Sequence, residues 1–213
     1  MKIEPLLIDL EGDDGSGKTT VIARLAKEPE FADDVFTREP GGTILGERLR
    51  AVLKDKTVRR SAWAETFTFM AARSELIDEV VLPALLAGRR AFLDRYFTST
   101  LAYQWGAQMG HEDPTEFMRL PKIAGMPFPG LVLWYDLDPA IAMTRRPQQE
   151  SAHDHFDARE LDFHQRVCDS YRRLFTTYEP WKTVVRRIDA AQPPDAVYAD
   201  TLVAIRDYLR THA

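Results

Sequence analysis

The sequence predicts an α/β fold of three layers, in which a five-stranded parallel sheet carries helices on both faces. Five short, apolar, strand-like segments alternate with longer segments of helical periodicity. Several of the strands are apolar on both faces, as strands buried inside a parallel sheet are. Glycine-rich or polar residues follow the strands, so a ligand site is expected beyond the carboxyl ends of the sheet.

The first strand-like run, residues 6–10, leads into a loop of the pattern G-x-x-x-x-G-K-[ST], and helical residues 21–27 follow it. In such a loop, backbone N–H groups and the positive end of the next helix bind polyphosphate. Lys18 is expected to reach the β- and γ-phosphates, and the Thr19 hydroxyl to bind Mg²⁺. A strand before and a helix after favour a P-loop NTPase-type fold over a chance glycine-rich turn. The loop residues expected to bind the polyphosphate of a nucleotide, which the family resemblance given below implies to be ATP, are Gly12, Asp13, Asp14, Gly15, Ser16, Gly17, Lys18, Thr19 and Thr20.

Periodicity defines the remaining elements. Further strands are predicted at residues 35–38, 90–94, 131–136 and 183–188. Helices are predicted at residues 44–54, 61–86, 97–108, 156–178 and 196–209, with a bend near Pro83. A short helix should begin at Asp113-Pro114, and another should run from Asp138-Pro139 into Arg145-Arg146. Neither an internal repeat nor a low-complexity linker is found, so we expect residues 1–213 to form a single domain.

Charge and cysteine content limit the partners and the compartment. The formal net charge of -5 disfavours general nucleic-acid binding, which needs a basic surface. The lone cysteine, Cys168, cannot form an internal disulfide and suits a reducing compartment. The N-terminal apolar run is short and contains Asp9, and no segment approaches the length of a membrane span. We therefore expect a cytoplasmic protein with neither a nucleic acid nor a membrane as partner.

Three further motifs give the chain a family resemblance. They are Thr37-Arg38-Glu39-Pro40-Gly41-Gly42-Thr43, then Phe69 with Arg73, then Asp94-Arg95-Tyr96 followed by Ser99 and Ala102-Tyr103-Gln104. With the phosphate loop before them, they make the chain resemble the thymidylate kinases over nearly its whole length. The resemblance implies transfer of the γ-phosphoryl group of ATP to dTMP, which gives dTDP and ADP. It also implies Mg²⁺ as the cofactor and a homodimer.

Phosphoryl transfer depends on positioning and on neutralising spread negative charge, so it needs cations rather than a protein nucleophile. Lys18 and Arg95 could clamp the donor and acceptor phosphates from two sides. By resemblance, Arg38 would approach the acceptor phosphate, and Asp94 would join Thr19 near the magnesium ion. The catalytic residues implied are therefore Lys18, Arg38, Asp94 and Arg95.

The resemblance also implies the contacts of the acceptor nucleotide. Phe69 would stack on thymine and Arg73 would bond a base oxygen, which their i, i+4 spacing on one helix face allows. The other contacts implied are Pro40 near the thymine methyl group, Asp14 at the 3′-hydroxyl, Tyr103 against a 2′-hydroxyl, and Ser99 and Gln104 at the rim of the base. Taken without the resemblance, Phe69 is also typical of a core residue and Arg73 of a surface charge.

Two regions depart from the family pattern. Residues of about 145–159 correspond to its lid over ATP, where Arg145 and Arg146 would bind the nucleotide. His155 stands where an arginine is usual in the family. The negative charge of the transition state would then have to be neutralised by Arg145, Arg146 or Arg159. Trp105 stands where glycine is common, and it could reshape the base pocket or fill space behind it.

Two other functions are open. One is a deoxynucleoside kinase, or a deoxynucleoside monophosphate kinase of broad specificity. A nucleoside kinase would need a carboxylate to take the proton of a 5′-hydroxyl, whereas Arg38 and Arg95 anticipate an acceptor that is already anionic. The other is a nucleotide-binding switch, which would not need a base pocket.

Overall fold

The structure is a computed structural model that describes residues 6–145, 161–179 and 181–212. Within these ranges it has the predicted five-stranded parallel sheet. The strands are β1 (Leu7–Glu11), β2 (Val35–Arg38), β3 (Ala91–Asp94), β4 (Leu131–Asp136) and β5 (Val185–Asp189). Their order in the sheet is β2-β3-β1-β4-β5, so β1 is central and β2 and β5 are the edges. The predicted α/β class is confirmed.

Helices pack on both faces of this sheet. The α-helices are α1 (Lys18–Leu25), α2 (Ile44–Lys54), α3 (Ala62–Leu76), α4 (Leu82–Leu86), α5 (Phe97–Thr100), α6 (Arg119–Ile123), α7 (Pro139–Arg145), α8 (Leu161–Thr177), α9 (Trp181–Val184) and α10 (Pro194–His212). A 3₁₀ turn covers Pro29–Phe31, and π-helical segments cover Ile77–Val81 and Leu101–Gln108. None of the helices in the described ranges combines the length and the apolar character that a membrane crossing requires.

Side-chain caps and a proline set the limits of the two helices that border the site. Thr43 caps α2, since its Oγ1 accepts from the N–H of Gly46 at 2.9 Å, and Ser61 caps α3 in the same way through Ala64 at 3.2 Å. The predicted long helix is present as α3, a π-helical segment and α4 in succession. Pro83 lacks an N–H and its ring crowds the preceding turn, so the wider π-helical turn lies directly before it.

The prediction of a helix that begins at Asp113-Pro114 is wrong. Asp113 Oδ1 instead accepts from the N–H of Thr115 at 2.9 Å and from its hydroxyl at 2.6 Å. A short polar side chain that bonds the backbone nearby competes with the helix it could cap. The helix of this region, α6, begins only at Arg119.

Successive side chains of the strands point alternately into two apolar cores, one on each face of the sheet. Ile8, Phe92 and Leu133 face α1 and α10, whereas Leu7 and Leu93 face the opposite layer, which contains α3, α5 and α8. Because side chains alternate along a strand, Asp9 and Glu11 of β1 point into the same layer as Leu7. Both carboxyl groups are fully buried. The central strand therefore carries charge into the layer that holds the site.

Candidate active site

The carboxyl ends of β1, β2 and β3 open into one cavity of about 1100 Å³. Most of the site residues expected from the sequence line it, and they come from segments that are distant in the chain. They are Asp14, Gly15, Ser16, Gly17, Lys18, Thr19, Thr20, Arg38, Pro40, Phe69, Asp94, Arg95, Ser99, Tyr103, Gln104 and Arg145. Gly12, Asp13 and Arg73 do not line it, and Arg146 lies outside the described residues.

The loop after β1 has the backbone shape of a phosphate loop. Gly12 has a φ of 144°, and a Cβ there would lie 2.5 Å from the carbonyl oxygen of Tyr135. Gly17 caps α1 with a φ of 92°, a left-handed conformation that costs glycine little. Larger residues at either position would strain the loop. Glycine therefore permits the curl that turns the loop toward the N-terminus of α1.

Lys18 lies inside this loop and is held by it. Its ammonium group donates to the carbonyl oxygens of Gly12 and Asp13, both at 2.9 Å, and to Ser16 Oγ at 3.1 Å. Burial and the nearby Arg95 guanidinium lower the pKa of Lys18 to about 8. The lysine is thus preorganised beside the backbone N–H groups that would bind phosphate.

Thr19 and Asp94 form an oxygen-rich pair next to Lys18. The Thr19 hydroxyl, at the start of α1, donates to Asp94 Oδ2 at 2.7 Å, and Asp94 is the last residue of β3. Hydroxyl and carboxylate oxygens are ligands that Mg²⁺ prefers, so this donor set fits the ion. No group of three or more His, Cys, Asp or Glu residues is arranged for a metal in the part of the chain that the structure describes. A magnesium ion here would complete its shell with water and substrate oxygens.

Arg95 places a cation against the phosphate loop, in the wall of the cavity. It follows β3 with a φ of 76°, a left-handed value that is costly for a residue with a side chain. Its guanidinium donates to Gly12 O at 3.0 Å, Ser99 Oγ at 3.1 Å and Asp14 Oδ1 at 2.5 Å. The strained backbone directs this side chain back over the phosphate loop.

The loop after β2 lies at the rim of the cavity. Arg38, the last residue of β2, is largely exposed and pairs with Glu47 of α2 at 3.1 Å. The Glu39–Pro40 peptide bond is cis, and the Pro40 carbonyl accepts from Arg50 at 2.8 Å. Arg50 also lines the cavity, although the sequence analysis did not select it. This rim of the cavity therefore has more than one cation.

Phe69 and Arg73 share a face of α3 but have different surroundings. Phe69 is half-buried and lines the cavity. Arg73 is fully buried, where its Nε donates to Glu39 Oε2 at 2.6 Å and its terminal nitrogen to Thr100 Oγ1 at 3.1 Å. Burial raises the pKa of Glu39 to about 7, although Arg73 opposes the rise. Arg73 is therefore not the surface charge that its sequence context alone suggested.

Two aromatic residues of the π-helical segment, Tyr103 and Trp105, have different surroundings. The Tyr103 hydroxyl donates to Asp13 Oδ1 at 2.8 Å and lies 3.2 Å from Asp14 Oδ2, beside the phosphate loop. Trp105 packs against Trp63 and donates through Nε1 to the carbonyl oxygen of residue 113 at 2.7 Å. Trp105 does not line the cavity, so its indole fills space behind the pocket.

Comparison with known proteins agrees with this geometry. The model of the thymidylate kinase family matches residues 10–200. A curated thymidylate kinase of Solidesulfovibrio magneticus is 40% identical over 203 residues, which are 90% of this chain and 94% of the relative. Another, of Deinococcus radiodurans, is 37% identical and spans 95% of this chain and 97% of its own. This chain belongs to the thymidylate kinase family.

A solved thymidylate kinase has the same fold. The crystal structure of the enzyme from Ehrlichia chaffeensis superposes with a TM-score of 0.73 at 24% identity, over 95% of this chain and 98% of that one. The likeness agrees with the predicted P-loop NTPase-type architecture. Both the fold class and the family expected from the sequence are confirmed.

Glu11 supports the site from inside the sheet, and it was not among the site residues predicted from the sequence. Its Oε1 accepts from the N–H groups of Tyr96 at 2.8 Å and Ser99 at 3.0 Å, and from the Thr98 hydroxyl. Its Oε2 accepts from Ser99 Oγ at 2.6 Å and from the Tyr171 hydroxyl at 2.7 Å. These bonds fix the segment that follows Arg95. The one signal in the sequence was a carboxylate at the end of an apolar strand.

Asp13 also has a different environment from the one expected of an ATP ligand. Its buried side chain accepts from Tyr103 and lies 2.9 Å from Nδ1 of His164, a fully buried residue of α8. The Asp13 carboxylate thus ties the phosphate loop to α8. No local pattern could have revealed His164, because the pair is separated by 151 residues.

The lid predicted at about 145–159 lies outside the described residues except for its first one. Arg145, at the end of α7, donates to the carbonyl oxygens of Ala190 at 2.7 Å and Ala191 at 3.1 Å, and it lines the cavity. Arg146, His155 and Arg159 fall in the range that the structure does not describe.

Proposed function

We propose that this protein is a dTMP kinase, which transfers the γ-phosphoryl group of ATP to dTMP and forms dTDP and ADP. The observation that carries the proposal is that one cavity is lined by the phosphate loop with Lys18, by Arg95, and by Phe69 and Gln104. Arg95 donates to Gly12 O of the phosphate loop at 3.0 Å and to Ser99 Oγ at 3.1 Å, so it joins that loop to the segment that carries Gln104. Two nucleotides bound on either side of Arg95 would meet phosphate to phosphate. Family membership supports the same assignment.

In the proposed reaction, an oxygen of the dTMP phosphate attacks the γ-phosphorus of ATP. The bond from that phosphorus to the bridging oxygen breaks, and ADP leaves with the electron pair. Lys18 and Arg95 would neutralise the charge that spreads over the transferred group, from opposite sides. The acceptor is already an anion near neutral pH, so no protein base has to remove a proton.

Mg²⁺ is the proposed cofactor. Thr19 and Asp94 would hold it, because their oxygens lie 2.7 Å apart beside Lys18. When bound, the ion would offset negative charge on the β- and γ-phosphate oxygens of ATP. Arg38 would approach the acceptor phosphate after leaving Glu47, with which it pairs at 3.1 Å.

The acceptor nucleoside is proposed to lie along the wall opposite the phosphate loop. Phe69 would stack on thymine, and Pro40 would contact its methyl group. Asp14 would accept from the 3′-hydroxyl while it remains paired with Arg95, and Tyr103 would exclude a 2′-hydroxyl. Arg73 would act from beneath the pocket wall, since Thr100, to which it donates, lines the cavity.

We further propose a homodimer that forms through α2 and α3. These helices pack against each other and present large apolar side chains to solvent, among them Ile44, which is 79% exposed, and Phe67, which is 55% exposed. Light scattering should give twice the chain mass, and Phe67→Glu should give the monomer. A monomeric wild-type protein at micromolar concentration would contradict the proposal.

The remaining proposals concern organisation and compartment. We propose that residues 1–213 act as one kinase domain, with the lid at about 145–159 closing over ATP and Arg146 contributing to that closure. A cytosolic enzyme is proposed because Cys168 is a free, buried thiol, which suits a reducing compartment.

The test of function is an assay that couples ADP release to acceptor identity. With Mg²⁺ and ATP, we expect rapid ADP release with dTMP, less with dUMP, and little with dGMP or thymidine. A Lys18→Ala variant is the matched control, and it should lose the acceptor-dependent rate. Rapid turnover of thymidine without turnover of dTMP would favour a nucleoside kinase. ATP binding without acceptor-dependent release would favour a switch.

A further inference from the structure

The amide of Gln104 is held in one orientation by a buried carboxylate. Gln104 Nε2 lies 2.8 Å from Glu65 Oε1, across the contact between the π-helical segment Leu101–Gln108 and α3. Glu65 is completely buried and Gln104 is 2% exposed. A carboxylate only accepts hydrogen bonds, so the amide nitrogen, rather than the amide oxygen, must face Glu65.

The other end of the amide is therefore an acceptor. Gln104 lines the base end of the cavity, and its Oε1 makes no hydrogen bond to any described residue. If the amide were reversed, two acceptors would face each other in a buried site and one would lose its partner. Glu65 thus decides which polar group Gln104 offers to a ligand.

Arg60 places a cation next to this carboxylate. Its Nε lies 3.9 Å from Glu65 Oε2, and both side chains are buried. The two terminal nitrogens of Arg60 donate to backbone carbonyls around the C-terminal end of α2, including Leu53 at 2.7 Å and Val52 at 2.8 Å. The cation is therefore fixed to the backbone, which keeps a compensating charge next to Glu65.

We propose that Glu65 is a positioning residue for base selection, and this rests on the proposed function. By fixing Gln104 Oε1 toward the pocket, it selects a base whose N3 carries a hydrogen, as thymine and uracil do. Cytosine presents an unprotonated N3, which would face the Gln104 oxygen as a second acceptor. Glu65 would affect the choice of base only by orienting Gln104, and it would not contact the base itself.

The test is the Glu65→Gln variant, assayed with dTMP, dUMP and dCMP. A glutamine at 65 can donate or accept, so the Gln104 amide can turn to suit either kind of base. We expect the dTMP-over-dCMP ratio of kcat/KM to fall by about tenfold, the effect of one misoriented buried hydrogen bond. The dTMP-over-dUMP ratio should stay within about twofold, since both bases carry the N3 hydrogen. A general loosening of the pocket would change both ratios.

Two further variants keep the proposal falsifiable. In a Gln104→Ala background, Glu65→Gln should have no further effect on the dTMP-over-dCMP ratio, because its route to the base is gone. The exchanged pair Glu65→Gln/Gln104→Glu retains an acceptor toward the base and should keep most of the discrimination, even if the single variant fails to fold. An unchanged ratio in Glu65→Gln, or an equal loss in the exchanged pair, would overturn the proposal. A wild-type protein that does not phosphorylate dTMP would instead refute the proposed function.

Discussion

The hydrogen bonds of Glu11 allow a quantitative test of how the site is built. In Glu11→Ala, the N–H of Tyr96 would lose its acceptor in the interior, which costs about 1–3 kcal/mol. Most of the other donors have second partners. The Thr98 hydroxyl lies 3.2 Å from Asp9 Oδ2, and the Ser99 N–H also donates to Tyr96 O at 3.1 Å. The Ser99 and Tyr171 hydroxyls lie 2.9 Å from each other, so one of them can donate to the other. With weaker bonds in place of these, we expect a total loss of about 3 kcal/mol.

Glu11→Gln is the matched variant, because it keeps one oxygen of the same shape. That oxygen can retain both backbone donors, while the new amide nitrogen faces the hydroxyls of Ser99 and Tyr171, one of which can turn to accept. The expected loss is about 1 kcal/mol. For a chain of this size the two losses correspond to melting temperatures lowered by about 6–12 °C and about 2–4 °C.

The assay is urea unfolding followed by far-ultraviolet circular dichroism, with thermal melting as a second measure. Glu116→Ala is the control, because its side chain is 71% exposed and its loss should change the free energy of unfolding by less than about 0.5 kcal/mol. The reasoning would be refuted if Glu11→Gln were as unstable as Glu11→Ala, since charge rather than acceptor capacity would then decide. A loss below about 1 kcal/mol in Glu11→Ala would refute it as well.

Three further outcomes concern the substrates. Arg95→Ala should lower kcat by about a thousandfold while the melting temperature falls by only a few degrees, since a cation is lost from the transferring group; near-normal turnover would remove Arg95 from the mechanism. The affinity for ATP, measured by calorimetry, should weaken by up to tenfold per pH unit above pH 8, because the pKa of Lys18 is about 8 and only its charged form attracts phosphate; an unchanged affinity at pH 9.5 would contradict this. Phe69→Ala should weaken dTMP binding by about 1–3 kcal/mol and leave ATP binding unchanged, and an unaltered dTMP affinity would make Phe69 a packing residue.

Much of the fold could be predicted because it rests on local periodicity. The strand predicted at 35–38 is β2, and the helix predicted at 44–54 is α2, both at the expected bounds. The prediction of a helix at Asp113 failed because the Asp113 side chain bonds the backbone N–H and the hydroxyl of Thr115. Hydrophobic periodicity does not report such bonds. The fifth strand begins at Val185 rather than 183, because the preceding residues form the last turn of α9.

The site was predictable only in part. Lys18, Thr19 and Asp94 could be placed together because each lies at or beyond the carboxyl end of a strand of a parallel sheet, and such strand ends converge. The partners that hold the site could not be placed in the same way. Glu11 meets Tyr171 across 160 residues of sequence, and no spacing rule relates them. The burial of Arg73 against Glu39 likewise depends on how α3 packs over the end of β2.

The two loops that border the cavity differ in how firmly the sheet holds them, because one extends from the central strand and the other from an edge strand. The phosphate loop extends from β1, which is paired on both sides and buried at every residue. The loop that carries Pro40 extends from β2, an edge strand of four residues that ends at Arg38 and has no fully buried side chain. Changes in this loop should therefore cost less folding free energy than changes in the phosphate loop, which put the centre of the sheet at risk. A redesign of substrate choice should begin at the edge.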